Sequence, residues 1–345
     1  MIRQKKITIR QLAEMADVTP TTVSLALRGK GNISTVKREH IRRLAEELNY
    51  SPSQAAQALR GSATHAIGVI INFFNNPFFN TLFAGIESEM KPRGYSFWVA
   101  QSGDDPVQES VQARQMAARG VDGLIVLPCS QDVRHLEELQ QAGKPVVLIG
   151  NHVEEKKFAA VVADNLRGGE IAAARLAPGR MPVHIAGPQN QSISILRCRG
   201  FLNIVQKNRP AYEAMAHIYR IPRMGHAEGY AAMEALARKY YPPLSIFAVN
   251  DETALGVLKF CRCNGLSVPR DIEIIGFGNI TLLDMLCSKL STVNIPTEQM
   301  GRKAARLLLQ AVEEPERNMS LSVLDVAFVQ GETTLNGREI WRALT

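Results

Sequence analysis

After residue 65 the chain alternates between short apolar runs rich in Val, Ile and Ala and stretches with helical periodicity. Apolar runs of this length are typical of strands that are buried on both faces of a parallel sheet, with helices covering the sheet. The pattern predicts an α/β body, and eight such strands indicate two lobes. The runs are AIGVIINF, SFWVA, VDGLIVLP, KPVVLIG, AAVVAD, MPVHIAG, SIFAVN and IEIIGFG.

The first 60 residues differ in charge from the rest of the chain. They contain eleven Lys and Arg against five Asp and Glu, a net charge of +6, whereas the other 285 residues carry a net charge of +1. A basic segment on a nearly neutral body is typical of a module that binds a polyanion such as nucleic acid. A basic, solvated surface without such a partner is the alternative.

Three amphipathic helices are predicted within this basic head. The first is IRQLAEMA, which begins at Ile9, and the third is TVKREHIRRLAEELN. Between them, Thr19 is the predicted N-cap of a second helix, Pro20 occupies its first position, and Val23 and Ala26 face the first helix. Three short helices with a tight turn between the first two predict a helix-turn-helix.

The segments ITIRQLAEMADVTPTTVSLAL and ELNYSPSQAAQALRG resemble the DNA-binding head of the lactose repressor/galactose repressor family, and the similarity extends to about Thr334. The resemblance implies an N-terminal all-α helix-turn-helix head plus hinge helix, and an α/β two-lobed periplasmic-binding-protein-like body with parallel sheets. The implied domains are 1–51 for DNA binding, 52–62 for the hinge helix and linker, and 63–340 for effector binding and dimerisation, with an N-lobe of 66–163 and 294–321 and a C-lobe of 164–293 and 322–340.

Two kinds of DNA contact are implied for the head by this resemblance. The hydroxyls of the second helix, with its N-terminal amides, also suit phosphate binding on physical grounds. The alternative is that Leu25 only packs and that Pro20 only starts a helix. The residues implied to face base edges in the major groove are Pro20, Thr21 and Leu25. Those implied to contact the DNA backbone are Thr8, Thr19, Thr22, Ser24, Asn32 and Ser34.

The segment SPSQAAQALRG is predicted to be a conditional helix. Pro52 can open it and Gly61 can end it, but its length of about nine residues is below the roughly 12 to 15 that an isolated helix needs. The resemblance implies that it folds over the minor groove of DNA, where Leu59 wedges into a base step and Ala56 and Arg60 lie against the groove. The alternative is a linker helix whose Leu59 packs on the body.

Ligands of parallel sheets bind beyond the carboxyl ends of the strands, and the resemblance implies a small-molecule effector there, between the lobes. Phe78 and Phe79 match cleft aromatics, and Arg197 matches an arginine that binds effector oxygens; core packing and a structural ion pair are the alternatives. Asn250 and Asp251 match a strand-end pair, and Asp251 is also a predicted N-cap. The implied effector-binding residues are Phe78, Phe79, Asn151, Gln191, Ile193, Arg197, Met224, Asn250, Asn279 and Ile295.

Two positions depart from the family pattern. Gly150 and Gly278 stand at strand ends where relatives commonly present an aspartate. This predicts a less acidic and more apolar cleft, in which Arg197 is free of carboxylate competition and the effector has few hydroxyls and an anionic group. Asn151 and Asn279 follow the two glycines and can restore a hydrogen bond, so a sugar stays an alternative.

Motifs for catalysis or for a cofactor are weak. GFGNIT has two of the three glycines of a dinucleotide fingerprint, and P-loop, HExxH and GxSxG sequences are missing. Cys261 and Cys263 lack the further Cys or His cluster that a zinc site needs. We expect no enzyme activity, no cofactor and no metal. Without a secretory signal or an apolar run of about 18 residues, we expect a cytoplasmic protein with no membrane partner.

The sequence therefore predicts a transcription regulator, in first place a repressor. It is expected to bind a pseudo-palindromic double-stranded DNA operator as a homodimer, under allosteric control by a sugar, sugar phosphate or related metabolite. The C-terminal TTLNGREIWRALT holds no sustained leucine heptad, so no tetramer is expected. The alternative is a sugar-binding component of a transport system without DNA binding, which the basic head and the N-terminal sequence disfavour.

Overall fold

The computed structural model of the protein describes residues 7–27, 29–48, 50, 63–153, 158–208, 217–285, 288–314 and 320–335. The chain divides into two units, residues 1–64 and residues 65–345, which we call the head and the body. Across the described residues, no helix combines the length and the apolar character that crossing a bilayer requires.

Three helices form the described part of the head: α1 (Ile9–Met15), α2 (Pro20–Leu27) and α3 (Thr35–Glu47). Leu12 of α1, Val23 and Ala26 of α2 and Ile41 of α3 are fully buried against one another. The prediction that Val23 and Ala26 form the inward face of the second helix is therefore confirmed. The head is a helix-turn-helix, as the sequence predicted.

Alternating strands and helices form the body. The strands are β1 (Ala66–Ile71), β2 (Ser96–Gln101), β3 (Leu124–Val126), β4 (Val146–Ile149), β5 (Ala159–Ala163), β6 (Met181–Ala186), β7 (Ile218–Arg220), β8 (Leu244–Ala248), β9 (Ile272–Gly278), β10 (Ser291–Asn294), β11 (Leu321–Leu324) and β12 (Ala327–Val329). The α-helices are α4 (Phe78–Met90), α5 (Pro106–Ala118), α6 (Arg134–Gln141), α7 (Asn165–Arg175), α8 (Ser192–Asn208), α9 (His226–Lys239), α10 (Asp251–Cys263) and α11 (Thr297–Glu313).

Two six-stranded sheets organise these elements. The first has the strand order β11-β5-β4-β3-β1-β2 and the second the order β12-β10-β9-β8-β6-β7. All pairs are parallel except β10 with β12. The central strands β1, β5, β8 and β9 are buried along their whole length, because helices cover both faces of each sheet. The predicted two-lobed parallel body is confirmed.

The last crossing between the lobes differs from the predicted boundary. Residues 322–340 were assigned to the C-lobe, but β11 pairs with β5 in the first sheet, with Leu321 opposite Ala160. The chain returns to the second sheet only at β12. This crossing is hard to predict because β11 is an edge strand in which Leu321 and Val323 are about half exposed, and no apolar run marks it.

Glycines set the closest contacts between helices of the body. A Cβ built on Gly301 of α11 lies 2.2 Å from the carbonyl oxygen of Leu82 in α4, and one on Gly85 of α4 lies 2.1 Å from that of Glu298 in α11. No side chain fits at such distances, so glycine permits the helix backbones to touch. The same reciprocal relation holds between α7 and α8 and between α9 and α10, at Gly169, Gly200, Gly229 and Gly256.

We predict that Gly301→Ala destabilises the protein by about 1–3 kcal/mol, because the new methyl group forces α4 and α11 apart. In an unconstrained helix the same change stabilises by about 0.5–1 kcal/mol, so the sign of the effect is diagnostic. Urea unfolding measures it, with Gln299→Ala at an exposed position of α11 as the control. A Gly301→Ala protein more stable than the parent would contradict the close contact.

Candidate functional site

The hydroxyl side chains of the head cap its helices. Thr8 Oγ1 accepts a hydrogen bond from the backbone N–H of Gln11 at 3.4 Å, and the Gln11 side chain accepts one from the N–H of Thr8 at 2.9 Å. Thr19 Oγ1 accepts from the N–H of Thr22 at 3.2 Å, which confirms the predicted N-cap, and Ser34 caps α3. Three predicted phosphate contacts therefore also fix the starts of helices.

The remaining predicted contacts of the head lie on or beside the outer part of α2. Thr21 is exposed, and Pro20, Thr22, Ser24 and Leu25 are half-buried. The loop after α2 packs on Leu25, since a Cβ built on Gly31 lies 3.3 Å from Leu25 Cδ1, and Asn32 is exposed beside it. Leu25 thus has packing contacts while part of its side chain stays accessible.

Arg38 holds the same loop, a role that the sequence did not reveal. Its Nη1 donates to the carbonyl oxygen of Gly29 at 2.8 Å and its Nη2 to that of Gly31 at 3.1 Å. Both glycines have positive φ, 71° and 80°, so the loop is a left-handed turn whose carbonyls point at α3. In the sequence Arg38 is one of several basic residues of α3, and nothing distinguished it from a surface charge.

The predicted hinge residues Ala56, Leu59 and Arg60 lie outside the described residues, as does the C-terminal segment from residue 336. Their assigned roles stay predictions.

A cavity that encloses about 690 Å³, part of it open to solvent, lies between the lobes of the body. As expected for parallel sheets, residues at or just after the carboxyl ends of strands form its wall, among them Asn72 after β1, Gly150 after β4 and Asn250 after β8. Seven predicted effector residues line it: Phe78, Phe79, Ile193, Arg197, Met224, Asn250 and Ile295. Of the two phenylalanines, Phe79 is 2% exposed within the core and Phe78 is half-buried.

Asn151 does not line the cavity, contrary to the prediction. It is 4% exposed. Its Nδ2 donates to the carbonyl oxygen of Pro128 at 3.0 Å, and its Oδ1 accepts from Ser192 Oγ and from the N–H of Ile193, both at 3.1 Å. Because Asn151 follows β4 of the first sheet and α8 packs on the second, this side chain caps a helix of the opposite lobe. These hydrogen bonds connect the two lobes. They use both the Nδ2 and the Oδ1 of Asn151, so the side chain does not face an effector.

Gln191 and Asn279 are also outside the cavity wall. Gln191 is 3% exposed and donates to the carboxylate of Asp104, which follows β2, so it too joins the lobes. Asn279 is exposed, with φ of 55°, and its Nδ2 donates to Asn294 Oδ1 at 3.0 Å. The turn after β9 directs this side chain away from the cleft.

The guanidinium of Arg197 forms part of the cavity floor. Its Nε donates to Asn165 Oδ1 at 2.9 Å, its Nη1 donates to the carbonyl oxygen of Val249 at 2.7 Å, and the group lies 3.7 Å from the ring centre of Phe277. Burial lowers the pKa of Arg197 to about 9, which the charge of Asp251 partly opposes. Asn165, the first residue of α7, was missed, although its position directly after a predicted strand was a usable signal.

The N-cap of α10 is Asn250 and not Asp251 as predicted. Asn250 Oδ1 accepts from the N–H of Thr253 at 2.9 Å, and its Nδ2 donates to the carbonyl oxygen of Met224. Asp251 is 1% exposed and accepts from Thr292 Oγ1 at 2.6 Å. Burial raises the pKa of Asp251 against these hydrogen bonds. One asparagine thus starts α10 and also fixes the loop that carries Met224.

The prediction that Arg197 is free of carboxylate competition was wrong, because the charge of Asp251 acts on it. Asp251 and Glu252 both line the cavity with Arg197. A Cβ built on Gly278, which has φ of 138°, lies 3.0 Å from Asp251 Oδ2, and one on Gly276 lies 2.3 Å from Oδ1. The carboxylate of Asp251 therefore occupies the space beside these glycines. The carboxyl groups of the cavity wall, Asp251 and Glu252, come from the start of α10 and not from the strand ends at Gly150 and Gly278.

The cysteines do not form a site in the described part of the chain. Cys261 is buried and Cys263 is exposed, and no group of three His, Cys, Asp or Glu residues there is placed to hold a metal ion.

Each of the two units contains a segment that matches a known protein family. Residues 8–53 match the model of the lacI family of bacterial regulatory proteins, and residues 179–334 match that of a periplasmic binding protein-like domain.

Relatives match nearly the whole chain. The regulator CelR of Thermobifida fusca is 29% identical over 90% of this chain and 94% of its own length, and the ribose operon repressor of Haemophilus influenzae is 28% identical over 94% and 98%. The ribose import binding protein RbsB of Bacillus subtilis is 33% identical over 69% of this chain and 78% of its own.

Solved structures share the fold. A complex of CelR with cellobiose is 27% identical with a TM-score of 0.70 and covers 95% of this chain and 99% of its own. A lac repressor dimer bound to operator, at 22% identity, has a TM-score of 0.80 and covers 96% and 100%.

We predict that Asn151→Ala weakens the contact between the lobes. The N–H of Ile193 and the carbonyl of Pro128 lose their partner, which costs about 1–3 kcal/mol, and small-angle scattering of the ligand-free protein should show a larger radius. Asn203→Ala is the control, because Asn203 lies on α8 and bonds Glu170 at the exposed surface. Loss of effector binding with unchanged ligand-free stability would instead place Asn151 in the effector site.

Proposed function

Because the chain belongs to the lacI family of bacterial regulatory proteins and is a DNA-binding transcriptional regulator with an effector-binding domain, we propose that it represses its target genes as a homodimer. Each head places α2 in one major-groove half-site, and two-fold symmetry requires a pseudo-palindromic operator. The protein acts in the cytoplasm, where the DNA lies. The relatives named above are two regulators and a sugar-import binding protein, and we assign no reaction to the cleft.

One observation carries the proposal: a helix-turn-helix in a segment of net charge +6 and a cavity between two lobes occur in the same chain. The first supplies a DNA-binding surface and the second a place for a small molecule. Neither alone distinguishes a regulated repressor from an unregulated one.

The division of labour in the head follows from the chemistry of its side chains. Thr8, Thr19, Thr22, Ser24, Asn32 and Ser34 are proposed to bind phosphates, which fixes the register of the head without reading sequence. Pro20, Thr21 and Leu25 are proposed to face bases. Pro and Leu offer no hydrogen-bonding side chain, so Thr21 and apolar contacts with thymine methyl groups must supply the direct readout.

The remaining sequence specificity comes from indirect readout, in which the protein favours DNA that is easily deformed. We propose that Leu59 wedges into the central base step, with Ala56 and Arg60 against the minor groove, so that an easily deformed step is favoured.

The effector is proposed to bind in the cavity through Phe78, Phe79, Ile193, Arg197, Met224, Asn250 and Ile295. The relatives support a sugar, since one is named a ribose operon repressor and one was solved with cellobiose. Effector binding changes the relative position of the lobes and so the operator affinity. A coupling free energy of about 1–3 kcal/mol is typical for such allostery.

A second candidate function is sugar binding for transport. The similarity of this chain to a ribose import binding protein favours it. The match of residues 8–53 to a family of regulators and the basic head favour gene regulation. Only the regulator binds specific DNA, so a DNA-binding measurement separates the two.

We predict that selection from random duplexes with the full chain enriches a two-fold symmetric sequence, and that Leu25→Ala relaxes the preference within each half-site by about 1–3 kcal/mol per base pair. Leu321→Ala, at an exposed position of the body, serves as the control. Enrichment of no sequence, with equal affinity for all duplexes, would refute the proposed repressor.

A further inference from the structure

A second, more polar hollow of about 720 Å³, part of it open to solvent, adjoins the cavity. The two share Asn72, Asn76, Met224, Asn250 and Glu252. Among the described residues, Glu252 is the one ionisable side chain that lines both. A ligand that fills the cavity and reaches toward its mouth therefore passes this carboxyl.

The combined wall carries more acid than base. It contains two arginines and four carboxyl groups, and with the carboxyl groups ionised it is net negative. Burial raises the pKa of Asp104, Asp251 and Glu252, so the wall repels an anion more strongly as the pH rises. The charged and titratable residues are Arg197, Arg223, Asp104, Glu228, Asp251, Glu252 and His226.

The other three carboxyl groups of the wall have partners within the protein. Glu228 Oε1 pairs with Arg223 Nε at 2.9 Å, and the carboxylates of Asp104 and Asp251 accept hydrogen bonds from neighbouring side chains. The side chain of Glu252 is half-buried and makes no hydrogen bond or ion pair with any described residue. Its carboxyl oxygens are not fully buried, so they stay accessible to a ligand that forms a hydrogen bond with them in place of water.

Arg197 balances only part of this charge, although three of its five N–H donors have no partner among the described residues. Two of its donors are already bonded to Asn165 and to the carbonyl of Val249, and the charge of Asp251 acts on it within the same cavity. The anionic effector that the sequence predicted depended on an arginine without carboxylate neighbours, and that condition is not met.

We propose that Glu252 is the specificity-determining carboxyl of the effector cleft, and that the effector is a small polyhydroxylated molecule that presents a hydroxyl or ammonium group to it and carries no anionic group. This inference rests on the proposed function, because it concerns the ligand of the same cleft. It adds the charge class of that ligand and the residue that selects it.

The titration of Glu252 suits this role. Burial, together with the charges of Asp251 and Glu228, raises the pKa of Glu252 to about 7. Near neutral pH its carboxyl is present in both forms, so it accepts a hydrogen bond from an ammonium or hydroxyl group, or donates one to a hydroxyl oxygen.

The test is calorimetric titration of the full chain at neutral pH with four compounds of one carbon skeleton: D-glucose, D-glucosamine, D-glucose 6-phosphate and D-gluconate. Cellobiose and D-ribose extend the neutral set. Each is titrated into the parent, into Glu252→Gln and into Glu234→Gln. The last is the matched control, because Glu234 pairs with Arg238 on α9 and lines neither hollow. Operator binding by each variant verifies that it is folded.

We expect a neutral or amino sugar to bind, Glu252→Gln to weaken that binding at least about tenfold, and Glu234→Gln to leave it within about twofold. The two anionic compounds should bind more weakly than glucose. Tighter binding of glucose 6-phosphate or gluconate, or an unchanged affinity in Glu252→Gln, overturns the role of Glu252 and leaves the proposed repressor intact. If no compound binds at millimolar concentration while operator binding persists, this inference also fails. Absence of operator binding in the parent would overturn the proposed function itself.

Discussion

The buried guanidinium of Arg197 is the interaction on which the effector cleft depends. From α8 it reaches Asn165 at the crossing from the first sheet, the end of β8 through Val249, and the ring of Phe277 on β9. A buried cation is costly unless its donors are used. Here two donors and the ring contact join α8, β8 and β9 to Asn165, where the chain enters the second lobe. These contacts hold the floor of the cleft together within the protein itself.

The wall above this floor is set by how the lobes meet. Asn151 caps α8 from the first lobe, and Asn190 Nδ2 donates to the carbonyl oxygen of Cys129 at 3.3 Å nearby. These contacts lie beside the cavity, so any ligand that changes the separation of the lobes acts on them directly. If the two lobes have two relative positions, a ligand and DNA are coupled when each binds one position more tightly. The coupling free energy is set by these differences in affinity. The proposed allostery thus has a physical location within the body.

The structural features that depend on neighbouring residues in the chain were predicted correctly from the sequence. Thr19 as an N-cap, the inward face of Val23 and Ala26, and the parallel strands followed from capping, periodicity and apolar runs. Predictions that required a partner distant in the sequence failed: Asn151 turns to the opposite lobe, Asn279 turns outward, and Asp251 fills the space beside Gly278. The glycine contacts between helices were equally invisible, because a glycine within a helical pattern does not reveal which backbone approaches it. The cleft aromatics and Arg197 were placed at the cavity through the family resemblance, and their binding role is still a proposal.

The central claim is that ligand occupancy of the cleft controls the affinity of the protein for its operator DNA. The most direct test is fluorescence anisotropy of the full chain on its selected operator, measured with and without a saturating sugar. Calorimetry first establishes that this sugar binds to the protein. The account predicts that the operator affinity changes by about 5–150-fold between the two conditions. An operator affinity that is the same with the cleft empty and filled would contradict it.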